Sequence, residues 1–154
     1  MSMETIFSAG NMAAMTGWLA ILIALFVKRL RGQLFLYSGI LLPAAFAVIY
    51  VTLLARGMMT PGGPAMDFGS LAGVRALFAN DASVTVGWYH YLAFDLFVGT
   101  WIARDGLSRG AWPIALVPVM GLTFMFGPTG LITWLIIWAI FLRKARPGVP
   151  APGI

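Results

Sequence analysis

The sequence predicts an all-α integral membrane protein: a four-helix bundle with kinked helices and one short amphipathic helix at the membrane interface. Three observations predict it. Hydrophobic residues make up 60% of the 154-residue chain and charged residues only 10%, with a mean hydropathy of +0.91; soluble domains run nearer to about 45–50% apolar and 25% charged. Apolar runs recur at the length of roughly 20 residues that a spanning helix needs. Basic residues gather at the ends of those runs, as in Lys28, Arg29 and Arg31 or Arg143, Lys144 and Arg146. Four such runs nearly use up the chain, so residues 1–146 form one transmembrane domain, and the Pro/Gly tail 147–154 is expected to be disordered.

The first span is expected over residues 6–27, with Asn11 and Thr16 as its polar insertions. The basic residues follow this apolar run instead of preceding it, and no clear small-residue cleavage site is present, so it reads as a retained helix and not a signal peptide. Gly32 is expected to break the chain before the second span, 34–54, which Pro43 kinks by removing a backbone donor and crowding the preceding turn. Met58 to Pro64 is expected to be irregular. Residues 67–80 place Leu71, Val74, Leu77 and Phe78 at helical spacing, which predicts a short amphipathic helix lying along the interface. The third span covers 84–102. The fourth, 115–142, is a long apolar region interrupted by Pro118 and Gly127-Pro128. It forms either one long kinked span or two short ones.

Charge and length disagree on that choice. With four spans, five basic residues face each side, and the positive-inside rule gives no orientation. With five spans the division is eight against two. The two half-segments, however, fall below the lower limit of about 17 residues for a crossing helix. Length carries more weight, so both termini are expected on the same side. Basic residues at span ends point to topology and lipid headgroups, not to nucleic acid.

The chemistry concentrates between Gly87 and Trp101, which hold the only histidine, His90, and a mid-span carboxyl, Asp95. A carboxylate at mid-bilayer costs roughly 2.5–3.5 kcal/mol on insertion scales, and desolvation favours the neutral acid. At 100° per residue, His90 and Asp95 lie about 140° apart and about 7.5 Å apart along the axis. Asp95 shares its face with Trp88, Tyr91 and Gly99; His90 shares its own with Phe94, Phe97 and Trp101. Two readings stand for Asp95: a clasp to Asn11, Thr16, Tyr50 or Thr123 on another helix, or an acid in a lipid-facing pocket. His90 is either a satisfied buried imidazole or a base. Trp18, Trp101, Trp112 and Trp138 fit an interfacial belt. Gly127-Pro128 is either a simple kink or a helix start that exposes free N–H groups. One histidine and no cysteine do not make a zinc site, and no cofactor is expected.

Three stretches carry a family resemblance. Phe68 to Phe78 leads into Gly87-Trp88-Tyr89-His90-Tyr91-Leu92-Ala93-Phe94-Asp95-Leu96-Phe97-Val98-Gly99, and Leu122 to Leu131 follows. With Asn11, Gly17-Trp18, Pro43 and Tyr50, these resemble the abscisic-acid-deficiency-four-like family, small four-span membrane proteins that include plant neoxanthin synthase. The resemblance implies a carotenoid or isoprenoid ligand and opening of an epoxide to an allene. Asp95 would be the acid and His90 the base, with Trp88, Tyr91, Phe94, Asn11, Tyr50 and Pro128 binding the ligand. The Ala/Gly/Arg-rich composition suggests a bacterial inner membrane. Membrane lipid is an expected partner, and a homo-oligomer is compatible with the sequence. Two rivals stand beside this reading: a non-catalytic partner or scaffold for another lipid-pathway enzyme, and a small-molecule or proton pathway through Asp95.

Overall fold

The computed structural model describes residues 2–60 and 67–142. The expected tail 147–154, the basic trio Arg143, Lys144 and Arg146, and the Pro61–Pro64 stretch lie outside the described residues. The rest is all-helical, in six helices: α1 (Met3–Phe26), α2 (Lys28–Met59), α3 (Leu71–Leu77), α4 (Asp81–Ser108), α5 (Pro113–Phe126) and α6 (Pro128–Ile137, continued by a π-helical turn Trp138–Leu142). Of these, α1 and α2 are long and apolar enough to cross a membrane.

Helix α1 starts at Ser2, whose hydroxyl accepts from the Thr5 N–H, and ends at Val27, where the backbone leaves helical angles. That turn, and not Gly32, is the break. Gly32 lies inside α2, because a glycine in a helix costs only about 1 kcal/mol. Arg31 secures the turn by donating to the Ala24 and Leu25 carbonyls. Helix α2 runs on through Met59, well past the expected end at 54, so Met58 and Met59 are helical and not irregular. It absorbs Pro43 with a π-helical turn, Tyr37–Leu41, just before the ring. Such a turn re-spaces the carbonyls that proline would otherwise crowd.

The amphipathic helix is shorter than the expected 67–80. Capping side chains bound it on both sides: Ser70 accepts from Gly73 N–H, and Asn80 accepts from Ser83 N–H to start α4. Asp67 forms the turn before Ser70. Hydrogen bonds from the Ser70 hydroxyl and then the Gly69 N–H hold its carboxyl below the ordinary aspartate range.

Helix α4 is the axis of the molecule. It runs parallel to α1: Tyr89 donates to the Ile6 carbonyl, and Gly99 meets Trp18. It runs antiparallel to α2: Thr100 bonds Ser38, and Tyr89 packs edge-on to Phe46. The expected single span 115–142 is two helices. Gly127, with φ +30° and ψ −86°, breaks it in a conformation that a residue with a Cβ rarely adopts. The chain then turns back. Leu116 on α5 and Trp134 on α6 both pack over Gly106, while Gly127 lies against Asp95. The hairpin therefore climbs beside α4 from its C-terminal end to its middle and returns. At its base Asp105 accepts from Arg109 at 2.7 Å and from the Trp134 indole at 3.2 Å, and Arg109 sits over Trp138.

The interior is apolar: Ile21, Leu25, Leu96, Ile102, Leu116, Met120 and Trp134 are fully buried. So is much of the exterior. Met12, Val48, Ile114 and Phe141 are each more than three-fifths exposed, at 71%, 66%, 64% and 68%. Trp101 and Trp112 are exposed, but Trp18 is not a belt residue. It is buried against Gly99 and packs edge-on to Phe124.

Candidate functional site at the hairpin apex

The long α4 carries both ionisable residues of interest, and the fold sends them to different places. Asp95 is only 9% exposed and faces the apex of the α5–α6 hairpin. A Cβ added to Gly127 would stand 2.7 Å from its Oδ1, so the carboxyl fits only because residue 127 has no side chain. Its Oδ2 is buried and has no hydrogen-bond partner among the described residues.

The apex owes its shape to two adjacent residues. Gly127 turns the chain, and Pro128 starts α6 with a preset φ and no N–H to lose. The Gly130 and Leu131 amides fold back on the Gly127 carbonyl. The Thr129 N–H has no intrahelical acceptor, as expected of a first-turn amide. The positive end of α6 thus begins at the level of Asp95. Gly127-Pro128 is a helix start and not a simple kink.

The clasp reading of Asp95 fails on partners. Asn11 accepts from the Trp88 indole at 2.7 Å, Thr16 bonds Tyr37, Thr123 donates to the Val119 carbonyl, and Tyr50 packs against His90. Tyr91, one turn before Asp95 on the same helix, sets its phenol beside the carboxyl, and Oδ2 is the oxygen left without a partner among the described residues. Tyr91 stacks on Trp88 with centroids 5.1 Å apart, and Phe7 lies on Trp88 at 5.5 Å. Trp88, Tyr91 and Asp95 therefore share one face of α4, with Asn11 of α1 bonded to Trp88 and the Gly127-Pro128 apex meeting Asp95 through Gly127.

His90 is on another face. It is exposed, which removes the satisfied buried imidazole, and it packs on Phe94 at 4.6 Å and Tyr50 at 5.8 Å. With Tyr50, Leu77, Phe78 and Trp88 it lines an apolar cavity of about 720 Å³ between the C-terminal end of α2, α3 and the start of α4. Trp88 borders both faces. The pairing of His90 with Asp95 over one reacting centre is thus not what the fold builds. The sequence reading also missed that Gly127 is the carboxyl's neighbour. It missed the Asp105–Arg109–Trp134 clamp too, although the i, i+4 spacing of Asp105 and Arg109 signals an ion pair.

The ABA DEFICIENT 4-like family model matches residues 5–134, a stretch that contains every residue of both faces. No curated protein matches the chain, and no solved structure does. The chain belongs to the ABA DEFICIENT 4-like family.

Proposed function

We propose that this protein binds a carotenoid or related isoprenoid within the bilayer and isomerises it at Asp95. The observation that carries the reading is the buried, unpartnered Asp95 oxygen against the hairpin apex. Leaving a buried polar atom unpaired costs about 1–3 kcal/mol, and such a site suits a ligand oxygen that completes the hydrogen bonding. The ligand's apolar body lies over Tyr91 and Trp88 toward the 720 Å³ cavity. The resemblance to a family that includes plant neoxanthin synthase supports an epoxide as the oxygen function.

One carboxyl suffices for the chemistry. Asp95 gives its proton to the epoxide oxygen as the C–O bond breaks, and its second oxygen takes the proton of a neighbouring C–H. The carboxyl ends as it began, and no oxidant or second residue is consumed. A general base has to sit within about 3 Å of the proton it removes. His90, on the other face, serves the ligand's body instead. His90→Gln is therefore expected to weaken pigment binding while conversion at saturation stays within a few-fold of the parent. The test is pigment extraction and analysis from a carotenoid-producing host expressing each protein. Purification without pigment but with a carotenoid-pathway enzyme bound would replace this reading with that of a scaffold.

The same geometry supports a membrane placement. An apolar exterior as extensive as this one supports contact with lipid. In our reading α1, α2 and α4 cross, and the α5–α6 hairpin enters and returns. Its first arm has 14 residues, about 21 Å, short of the hydrocarbon core of about 30 Å. Non-helical backbone at mid-depth is tolerated where protein buries it, and Gly127 rests on Asp95. The trio Arg143, Lys144 and Arg146 then joins Lys28, Arg29, Arg31, Arg104 and Arg109 on one side, leaving Arg56 and Arg75 on the other. The positive-inside rule makes the larger group cytoplasmic. Reporters fused at the two ends are expected on opposite sides of the membrane. Signals from the same side would rule out the re-entrant hairpin and restore the single long fourth span.

A further inference from the structure

A second cavity, of about 590 Å³, opens between the start of α2 and the end of α4, away from Asp95. Arg31, Arg104 and Ser108 stand around it, and Phe35, Leu36 and Ile40 form an apolar wall. Arg31 is half-buried and held in place, its Nε and Nη2 each donating at 3.0 Å to the last carbonyls of α1. Those two bonds leave three of its five N–H groups free. Arg104 has no partner among the described residues, and no carboxylate lines the cavity. The nearest acid in sequence, Asp105, is taken by Arg109 and Trp134.

Two guanidinium groups facing one cavity repel unless an anion lies between them. Planar donor forks match phosphate oxygens. We infer that this cavity binds a phosphate ester, its oxygens on Arg31 and Arg104 and its apolar portion along Phe35, Leu36 and Ile40. A phosphate with an apolar tail fits both halves of the lining: Leu36 and Ile40 are 51% and 49% exposed and run from the cationic mouth toward the middle of α2. Basic pockets between helices on the cytoplasmic side are where anionic headgroups settle. The inference uses none of the chemistry at Asp95 and stands or falls separately from it.

Gly32 lines the cavity, and a Cβ there meets nothing within 4 Å, so Gly32→Leu adds bulk beside the cavity with no clash at its Cβ. Arg56, at the other end of α2, serves as a control for general surface charge. The measurement is the thermal unfolding midpoint of the full chain in detergent, with phosphatidylcholine alone, with added phosphatidylglycerol, or with inorganic phosphate. Phosphatidylglycerol is expected to raise the midpoint by at least about 3 °C. Arg104→Gln and Gly32→Leu are expected to lose most of that rise, and Arg56→Gln to keep it. A rise with phosphatidylglycerol alone assigns the site to a lipid headgroup. An equal rise with inorganic phosphate, lost in the same two variants, assigns it to a soluble phosphate compound. No rise with either, or a rise unchanged in Arg104→Gln and Gly32→Leu, overturns the site.

Discussion

Asp95→Asn is expected to lower conversion by about 10²–10⁴-fold, the range of a general acid–base contribution, while pigment binding stays within a few-fold and the protein folds like its parent. Asparagine keeps the branched shape that fits against Gly127, so the hairpin apex is undisturbed. It has no acidic proton to give and no carboxylate to take one back. Asp95→Leu separates function from architecture. Asp95 makes no clasp to Asn11, Thr16 or Thr123, each of which is bonded elsewhere. Leucine at 95 therefore removes an unpaired buried oxygen and is expected to leave the melting temperature unchanged or raise it. Pigment analysis at matched protein levels, with a melting curve for each variant, decides the matter. Full conversion by Asp95→Asn would end the catalytic proposal, and a large loss of stability in Asp95→Leu would return Asp95 to a structural role.

Much of this arrangement was legible in the residues. The 100° step alone put His90 and Asp95 on different faces of α4, and the contacts of Tyr50 and Phe94 with His90, and of Trp88 with Tyr91, follow that division. The helices that frame the site were legible because long apolar runs closed by basic residues have few other solutions. Their ends were less so, and capping explains why. Ser70 and Asn80 are N-cap residue types three positions before Gly73 and Ser83. Reading them as caps would have shortened the amphipathic helix and started α4 at Asp81.

The break at Gly127 was seen but misjudged. The lower limit of about 17 residues holds for a helix that crosses the bilayer, not for one that enters and turns back, so it could not decide between the two arrangements considered. The charge count pointed to opposite-side termini, and the re-entrant hairpin proposed above would satisfy it without a fifth crossing. What no local pattern carried is the meeting of Gly127 with Asp95. That contact exists because Leu116 and Trp134 both seat on Gly106, which fixes how high along α4 the hairpin reaches.

The hairpin itself gives the second large effect, a pair of alanine substitutions with opposite signs. Gly130 lies one turn into α6, where a Cβ would collide with Thr123, its Oγ1 and its backbone N and Cα, the last at 2.6 Å. Backbone cannot rotate out of the way as a side-chain tip can. Gly130→Ala is therefore expected to force the arms apart and to cost the upper part of the about 1–3 kcal/mol typical of overpacking. Gly121, on α5, has nothing within 4 Å of the same added atom. Gly121→Ala is expected to stabilise by about 0.4–1 kcal/mol, because it only restricts the unfolded chain and improves helix propensity. Thermal unfolding in detergent reads both. Conversion adds a second readout: opening the apex moves Gly127 away from Asp95, so Gly130→Ala is expected to lose activity at temperatures where it is still folded, and Gly121→Ala to keep it. Equal and mild effects from the two substitutions would mean that α5 and α6 do not pack as a hairpin, and the apex would no longer be a place where a carboxyl could be held.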